Sequence, residues 1–318
     1  MLNQLFTPYI DQSHLLIAYA LFCFVLTTVL LRVDLPFLPK DKGRPNAVNG
    51  QLSKGKTRGV GLVMMICFVA CAALFIPFSV EFMFYALLIL AEMFSGYLDD
   101  AAKFPWSDYK KGLIDFVISA LVGVVFVLND SSTIYFGSFA VALHPIVYGL
   151  LATGLVWLSI NAVNCTDGVD GLSTTVGLVS SLSFLLIYPN ELTMEYHGYI
   201  LLFAAVIVSY LLFNAGPSKV LMGDAGSRPL GILLALLAMK SHHPFCWLLL
   251  AFVFLADGVT GLIKIFFLRF FKIHFFKNIR TPLHDEMRKN RGWSDTQVVV
   301  RFAVAQVICS VLWYITSL

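Results

Sequence analysis

Residues 59–79 read GVGLVMMICFVACAALFIPFS and contain no charged side chain. A bilayer core of about 30 Å is crossed by about 20 apolar residues in helical conformation. Runs of this kind recur along the chain and give ten candidate spans, at residues 13–33, 59–79, 82–98, 112–129, 143–163, 170–189, 196–213, 227–240, 245–268 and 296–317. The sequence therefore predicts an all-α integral membrane protein with about ten transmembrane helices, forming one domain over residues 1–318.

The composition excludes the soluble classes of protein. Of the 318 residues, 58% are hydrophobic and 13% are charged, whereas soluble domains contain about 25% charged residues. The six cysteines form no C-x-x-C pair, so neither a disulfide framework nor a zinc site is expected. The first fourteen residues contain no Lys or Arg, which argues against a signal peptide. We expect no nucleic-acid partner for such a chain.

Lysine and arginine residues concentrate in alternate connections between the predicted spans. They follow the first, third, seventh and ninth spans, whereas the intervening connections contain only Lys240, at a boundary. Because basic loops remain in the cytoplasm, the pattern predicts that both termini lie on the extracytoplasmic side. The basic and aromatic residues of 269–280 are typical of a segment at a membrane surface, where anionic lipid headgroups are favoured.

Acidic residues gather at the ends of spans that this pattern assigns to the cytoplasm. Asp99 and Asp100 close the third span, Asp167 and Asp170 follow the fifth, and Asp224 precedes the eighth. Carboxylates at a low-dielectric boundary repel each other unless a cation binds among them. Oxygen ligands favour Mg²⁺, with Mn²⁺ as the alternative, held together with substrate phosphates. The sequence predicts a divalent-metal site for a phosphate-containing substrate, formed by cytoplasmic loops and helix ends.

The local geometry of these acids depends on where the helices begin and end. Asp99 and Asp100 differ by about 100° around a helix, so one is expected to face the site and the other solvent or a neighbour. If 167–170 is a first helical turn, Asp167 and Asp170 share one face. Each motif alone also fits a solvated helix end or a turn, and their occurrence on one side of the membrane favours a shared site.

Glycines beside Asp224 suit an anionic ligand. Gly223 and Gly226 would let backbone N–H groups approach phosphate oxygens, and Ser227 is predicted to cap the following helix. For the charged residues inside spans, helix–helix hydrogen bonding and a catalytic role remain equally open; these are Glu92, Asp115, Asp257 and Lys264. Such charges would also suit a secondary transporter, although no internal repeat is evident.

Three segments resemble the signature motifs of the polyprenyl-phosphate N-acetylhexosamine-1-phosphate transferases. They are Asp99-Asp100, NAVNCTDGVDGL at 161–172 and MGDAGS at 222–227. The segments AVNGQLSK at 47–54, GWS at 292–294 and VVVRF at 298–302 resemble the members that act on UDP-N-acetylmuramoyl-pentapeptide. The resemblance runs through nearly the whole chain, in order.

The resemblance implies an enzyme of the bacterial inner (cytoplasmic) membrane with ten transmembrane helices, a cytoplasmic site and a requirement for Mg²⁺. In this reaction undecaprenyl phosphate attacks the β-phosphorus of UDP-N-acetylmuramoyl-pentapeptide, and UMP leaves. The product is the first lipid-linked precursor of peptidoglycan. Homodimers are also implied. A sister enzyme that uses UDP-N-acetylglucosamine or a related UDP-sugar, and a catalytically silent homologue, are the alternatives within the family.

The resemblance also implies roles for individual residues. The catalytic set comprises Asp99 as candidate base, Asp100 as its support, Asp224 as metal ligand, and His284. Residues expected to bind the phosphates are Lys103, Lys111 and either Lys54 or Lys56, and those expected at the nucleotide and sugar are Asn164, Asp167, Asp170 and Asn214. The other expected substrate contacts are Leu221, Gly223, Ser227 and Lys264.

The chain departs from the family pattern around the expected substrate contacts. Asp285 and Glu286 follow His284 where the family has further histidines, Leu221 stands where Phe is usual, and Lys264 stands where the closest members have Gln. The two acids are expected to repel a diphosphate unless they bind a second cation or turn outward. These departures bear on the identity of the substrate rather than on the fold.

Overall fold

The computed structural model describes residues 11–43, 50–136, 139–274 and 277–317. Helices in this part of the chain are α1 Gln12–Arg32, α2 Gly61–Phe75, α3 Val80–Ala101, α4 Asp108–Asn129, α5 Pro145–Thr166, α6 Leu172–Ile187, α7 Met194–Asn214, α8 Asp224–Lys240, α9 Pro244–Leu250, α10 Phe252–Phe271, α11 Leu283–Lys289 and α12 Asp295–Ser317. Short strands are β1 Thr57–Arg58, β2 Thr133–Phe136, β3 Phe139–Ala142 and β4 Val220–Leu221.

Six of these helices are long and apolar enough to cross a membrane on their own: α1, α3, α4, α5, α7 and α12. Helices α9 and α10 qualify only as a pair, bent by 75° at the break between them. Helices α2 and α6 are apolar but shorter, with 15 and 16 residues. The chain is therefore a mostly helical, multi-pass membrane protein, and each predicted segment overlaps one of these helices, the bent pair or α8.

The described part of the structure contains four short strands that the prediction of an all-α protein did not include. β1 pairs with β4 in parallel, with Thr57 opposite Val220 and Arg58 opposite Leu221, and β2 and β3 form an antiparallel hairpin. β1 and β4 have two residues each, too few to show the alternation of apolar and polar residues that identifies a strand in a sequence. The pairing of β1 with β4 joins the loop before α2 to the loop before α8.

Helix α8 is the central element of the bundle. All of its residues are buried, and it packs against α2, α3, α5 and α6. A helix covered on all sides must be apolar around its circumference, apart from groups that find partners inside the protein. Its first turn carries Asp224, Ser227 and Arg228, so these polar residues are brought into the middle of the bundle.

Two local predictions about these helix ends are wrong. Helix α8 begins at Asp224 with Gly223 as its N-cap residue, so Ser227 lies inside the helix and does not cap it. Residues 167–170 form the turn between α5 and α6, and α6 begins at Leu172, so Asp167 and Asp170 do not share a helical face. Helix bounds depend on which loop packs against the end of the helix, and apolar periodicity does not reveal this.

The start of α8 lies in direct contact with the backbone of two neighbouring helices. A Cβ atom added at Gly96 in α3 would overlap the backbone of Asp224 and Ala225, and one added at Gly61 in α2 would overlap that of Ala225 and Gly226. Small residues of this kind let membrane helices approach closely. Glycine at these positions thus fixes the place of Asp224 beside the end of α3.

Gly96→Ala is expected to destabilise the protein by about 1–3 kcal/mol, because backbone atoms of α8 would have to shift. The measurement is the Tm of purified protein in detergent. Gly154→Ala is the matched control, since Gly154 also lies within a helix but has open space where its Cβ would be. Equal Tm values for the two variants would contradict the close packing of α3 on α8.

Candidate active site

Six carboxylates and three cationic side chains meet where α8 begins. We call this group the carboxylate cluster; its members are Asp41, Glu92, Asp99, Asp100, Asp115 and Asp224 with Arg58, Lys111 and Arg228. Three negative charges are in excess if all nine groups are ionised. The residues come from the loop before α2, from α3, from α4 and from α8.

Arg58 of β1 holds three of these carboxylates. Its Nε donates to Asp100 Oδ1 at 2.6 Å, Nη1 to Asp41 Oδ2 at 2.9 Å, and Nη2 to Asp224 Oδ1 at 3.4 Å. Burial alone would lower the pKa of Arg58, but the carboxylates of Asp100 and Asp224 raise it above its ordinary value. The guanidinium is therefore a permanent charge that fixes the positions of three acids.

Asp41 illustrates how the cluster keeps an acid ionised. Burial would raise the pKa of its carboxyl group, but hydrogen bonds from Ser53, Arg58 and the Gly43 N–H hold that pKa below its usual value. The oxygen Oδ1 accepts from Ser53 Oγ at 2.8 Å and from Gly43 N at 2.7 Å. Asp41 is thus a charged partner of Arg58 throughout the neutral pH range.

Lys111 of α4 lies between two of the predicted catalytic carboxylates. Its Nζ forms an ion pair with Asp99 Oδ2 and lies 3.4 Å from Asp224 Oδ2. The other oxygen of Asp99 accepts a hydrogen bond of 2.7 Å from the backbone N–H of Trp106. A compact cation therefore already occupies the space between Asp99 and Asp224.

Arg228 is the most deeply buried cation of the cluster, with 1% of its surface exposed. Its Nη2 donates to Asp224 Oδ2 at 2.7 Å, and its Nη1 lies 3.1 Å from Asp115 Oδ1 and 3.6 Å from Glu92 Oε1. The charges of Glu92 and Asp115 inside spans thus have an ionic partner. Their contacts favour the interpretation as interhelical bonds over a role in transport.

Asp99 and Asp100 contact different partners, and the second acid, expected to face solvent or a neighbour, faces a neighbour. Asp99 contacts Lys111, whereas Asp100 contacts Arg58 and accepts from the Ala225 N–H at 3.4 Å. The side chain of Asp100 is only 2% exposed. The end of α3 is surrounded by α4 on one side and the loop before α2 on the other, so both faces of its last turn meet the cluster.

A cavity of about 930 Å³ opens beside the carboxylate cluster. Arg58, Asp41 and Gly223 line it on the cluster side. Predicted substrate residues also line it: Asn164, Asp167, Asp170, Asn214, Leu221 and His284. The structure thus brings together, at one end of the bundle, most of the residues that the motifs single out.

Hydrogen bonds tie the predicted substrate residues to the backbone around the cavity. Asn164 Nδ2 donates to Ser227 Oγ at 2.8 Å, which links α5 to the first turn of α8. Asn214 joins two loops, because its Oδ1 accepts from Gly171 N at 2.7 Å and its Nδ2 donates to Val220 O at 2.9 Å. These contacts keep the wall of the cavity rigid.

The two aspartates of the turn after α5 also help to form this wall. Asp170 Oδ2 accepts from the Ser218 N–H at 2.9 Å, with Lys56 Nζ 3.8 Å away. Asp167 Oδ1 accepts from Ser173 Oγ at 2.8 Å. The turn is therefore fixed to the loop before β4 on one side and to the start of α6 on the other.

His284 is held rigidly on the opposite wall of the cavity. Its backbone N–H donates to Asp257 Oδ1 at 2.7 Å, and its Nδ1 lies 2.8 Å from Asp257 Oδ2. Gly168 packs against Nε2 of the imidazole, where a Cβ atom would overlap the ring. Asp257 therefore orients His284. This contact gives a role to Asp257, an acid inside a predicted span whose role could not be decided from the sequence.

Asp285 pairs with two arginines, and Glu286 accepts hydrogen bonds from a backbone N–H and a side-chain amide. Asp285 accepts from Arg288 at 2.7 Å and from Arg280 at 3.4 Å, and it lines the cavity. Glu286 accepts from the Arg280 N–H at 2.8 Å and from Asn290 at 2.6 Å; the first of these bonds is the main reason that its pKa is lowered. The predicted repulsion of a diphosphate is therefore offset at Asp285 by two cations.

Five predicted substrate residues do not line the cavity: Lys54, Lys103, Lys111, Ser227 and Lys264. Lys111 belongs to the carboxylate cluster, and Ser227 lies inside α8. Lys54 and Lys103 are exposed, and Lys264 donates to the carbonyl of Ile279 at 2.8 Å. Lys56, rather than Lys54, lies on the cavity wall. Their roles stay predictions, and the family segment at 47–54 falls partly on residues outside the described part of the chain.

Several residues that hold the site together are not evident from the sequence. Arg58 and Arg228 are expected from the sequence only as basic residues in loops, and no motif points to Asp41. Arg228 could have been noticed because it lies four residues after Asp224 of the MGDAGS motif. At that spacing two side chains on a helix can form an ion pair. No such signal exists for Arg58, whose partners lie far away along the chain.

The donor set is compatible with a divalent cation. Asp99 and Asp224 present carboxylate oxygens on both sides of the Lys111 ammonium group, which is a cation in the place that a metal ion would take. The excess of acids supplies the charge to hold such an ion. Among the described residues no three His, Cys, Asp or Glu side chains already form a metal-binding group. Substrate phosphates would have to complete the coordination, as is usual for Mg²⁺.

Removal of the Arg228 charge is expected to destabilise the protein severely. Arg228→Gln leaves Asp224, Asp115 and Glu92 without their buried partner, a change that typically costs about 3–5 kcal/mol. The measurement is Tm in detergent, with Arg301→Gln as control, because Arg301 is an exposed residue that stacks on Trp293. A similar Tm for both variants would contradict the structural role of Arg228.

Comparisons with known proteins bear on the identity of the site. The model of glycosyl transferase family 4 matches residues 82–242. Phospho-N-acetylmuramoyl-pentapeptide-transferase of Treponema pallidum (strain Nichols) is 36% identical, over 98% of this chain and 92% of its own length. The enzymes of that name from Dictyoglomus turgidum and Wolbachia pipientis wMel are 31% and 29% identical, over 80% and 79% of this chain and 81% of their own lengths in both cases. With the sequence resemblance thereby confirmed, the chain belongs to glycosyl transferase family 4, in the group of the phospho-N-acetylmuramoyl-pentapeptide-transferases.

Proposed function

We propose that this chain transfers phospho-N-acetylmuramoyl-pentapeptide from its UDP-linked donor to undecaprenyl phosphate, with release of UMP and formation of the first lipid-linked precursor of peptidoglycan. The observation that carries the proposal is the carboxylate cluster beside a cavity of about 930 Å³, at the end of apolar helices. Similarity to enzymes named for this transfer extends over nearly the whole chain. One substrate lies in the bilayer and the other in water, so the site has to lie at their boundary.

The reaction joins an oxygen of the lipid phosphate to the β-phosphorus of the donor as the bond from that phosphorus to the UMP oxygen breaks. Phosphoryl transfer depends mainly on positioning and on stabilisation of charge. Asp99 is the candidate base that takes a proton from the lipid phosphate when this is not already ionised. Asp100 acts through Arg58, which it holds at 2.6 Å. Lys111 is placed to bind a phosphate oxygen as a compact cation.

Asp224 would hold Mg²⁺, with Mn²⁺ as the alternative. When bound, a divalent ion neutralises the diphosphate and stabilises the leaving UMP. Lys111 would then pair with substrate phosphate in place of the two carboxylates. Arg58 and Arg228 would keep Asp224 ionised and in position.

The remaining roles follow the position of each residue relative to the cavity. We assign the nucleotide and sugar to residues that line it, Asn164, Asp167, Asp170, Asn214, Leu221 and Gly223, and to Ser227, which accepts a hydrogen bond from Asn164. His284, oriented by Asp257, is assigned to the diphosphate. Lys54, Lys103 and Lys264 are assigned to outer parts of the substrates because they lie away from the cavity wall.

We further propose ten transmembrane helices with both termini outside, in a bacterial inner (cytoplasmic) membrane, and a site that faces the cytoplasm. The alternation of basic loops supports this orientation. The ends of α3, α5 and α7 and the starts of α4 and α8 supply residues of the site, as expected for helices that alternate in direction. We also propose a homodimer, and this part of the proposal rests only on the resemblance to the family.

Asp224→Asn is expected to lower turnover by on the order of 10²-fold or more, because the substitution removes the charge at the proposed metal position. The measurement is release of UMP from UDP-N-acetylmuramoyl-pentapeptide in the presence of undecaprenyl phosphate and Mg²⁺. Chelation of divalent ions is expected to abolish the same signal in the unmodified protein.

Asp108→Asn is the matched control for this experiment, since the side chain of Asp108 is 75% exposed and lies outside the carboxylate cluster. Retained turnover in Asp224→Asn would remove Asp224 from the metal site. A panel of UDP-sugars in the same assay distinguishes the sister activity, which would release UMP from UDP-N-acetylglucosamine instead. Nucleotide-sugar binding without UMP release would indicate a silent homologue.

Asp285→His is expected to lower activity, although it restores the residue type that the family carries. Asp285 is bound to Arg288 and Arg280, and an imidazole in its place removes both of these ion pairs from the cavity wall. The measurement is kcat and KM for the UDP-linked donor. An increase in kcat/KM would show that the acid impairs binding of the diphosphate.

A further inference from the structure

A second cleft lies on the other side of the β1–β4 pair from the cavity. It has a volume of about 360 Å³ and is bounded by the end of α1, the end of α7 and the two strands. Thr57 and Val220 face this cleft, whereas the next residues, Arg58 and Leu221, face the large cavity. The two sides of one strand pair therefore serve two separate spaces, because neighbouring residues in a strand point in opposite directions.

The floor of the cleft is apolar. Four buried residues form it: Leu31, Leu38, Val60 and Val63, each no more than 6% exposed. Phe213 and Leu35 extend the apolar surface toward the rim. A small water-soluble anion gains nothing from such a surface, whereas an acyl chain would bury it.

The rim of the cleft is cationic. It carries Arg32, Lys40 and Lys219 against one acid, Asp34. Asp34 is engaged by Lys40 at 2.9 Å, and Lys40 also donates to Thr57 at 2.7 Å. Within the described part of the chain, Arg32 and Lys219 have no ion-pair partner, although both line the cleft. Two unneutralised positive charges at an apolar cleft favour a ligand with a negative head and an apolar tail.

The position of the cleft selects the kind of ligand. Arg32 is the last residue of α1, and Lys219 lies five residues after the end of α7. Both helices are candidate membrane spans, so their ends mark the level at which the apolar core of a bilayer meets its headgroups. Lipids reach this level by diffusion in the membrane, with their phosphates beside the two cations.

We propose that this cleft is a binding site for an anionic phospholipid, with the phosphate held by Arg32 and Lys219 and the start of an acyl chain on the apolar floor. The site is separate from the one assigned to the substrates, and its existence does not depend on the proposed transferase activity.

The test is native mass spectrometry of the full chain in detergent, titrated with phosphatidylglycerol or with phosphatidylcholine. We expect one phosphatidylglycerol to bind well above the level of phosphatidylcholine. Arg32→Gln combined with Lys219→Gln is expected to weaken this binding roughly thirtyfold, since each cation near an anionic lipid surface strengthens binding about fivefold. Equal binding of the two lipids to the unmodified protein would overturn the proposal.

The matched control removes two exposed cations away from the cleft, by Lys289→Gln combined with Arg291→Gln. This variant is expected to bind phosphatidylglycerol as the unmodified protein does, and an equal loss in both double variants would overturn the assignment to the cleft. Inorganic phosphate and glycerophosphoglycerol, which lack acyl chains, are expected not to displace the lipid. Displacement by either would assign the site to a free phosphate and contradict the lipid. Tm values of both variants verify that they remain folded.

Discussion

The pairing of buried carboxylates with Arg58, Lys111 and Arg228 is the constraint on which the site depends. Six acids at the end of a helical bundle would repel each other strongly in surroundings of low dielectric constant. The three cations come from three different parts of the chain, and each contacts at least two acids. The network therefore holds α3, α4, α8 and the loop before α2 in one arrangement, and it places Asp224 at their centre.

The three cations of this network are of two kinds. Arg58 and Arg228 stay charged and hold Asp224 from two sides, whereas Lys111 is a flexible side chain between Asp99 and Asp224. A lysine ammonium group can be exchanged for another cation without moving the backbone. The two arginines thus hold Asp224 in place, and in the proposed reaction Lys111 is the cation that would turn to a substrate phosphate.

Much of this arrangement follows from the sequence, and the part that does not has identifiable reasons. Asp99, Asp100 and Asp224 could be predicted because an acid at the end of an apolar segment is costly and usually functional. Arg58 could not, since its partners lie 42 and 166 residues away and no local pattern links them. The roles of Glu92 and Asp115 could not be decided from the sequence, because their partner Arg228 lies on another helix. The start of α8 at Asp224 was missed because Gly223 and the packing of Gly96, rather than hydropathy, set that boundary.

The two-residue strand pair before α2 and α8 has a consequence for changes in chain length. A shift of one residue in a strand exchanges the sides to which its side chains point. An insertion just before Thr57 that shifted β1 by one residue would turn the guanidinium of Arg58 toward the second cleft. Thr57 would then lie opposite Asp100 and Asp224. We therefore expect the number of residues from Thr57 to Gly61 to be as tightly constrained as their identity. Insertions before β1 are expected to be tolerated only away from the strand, in the loop that follows α1.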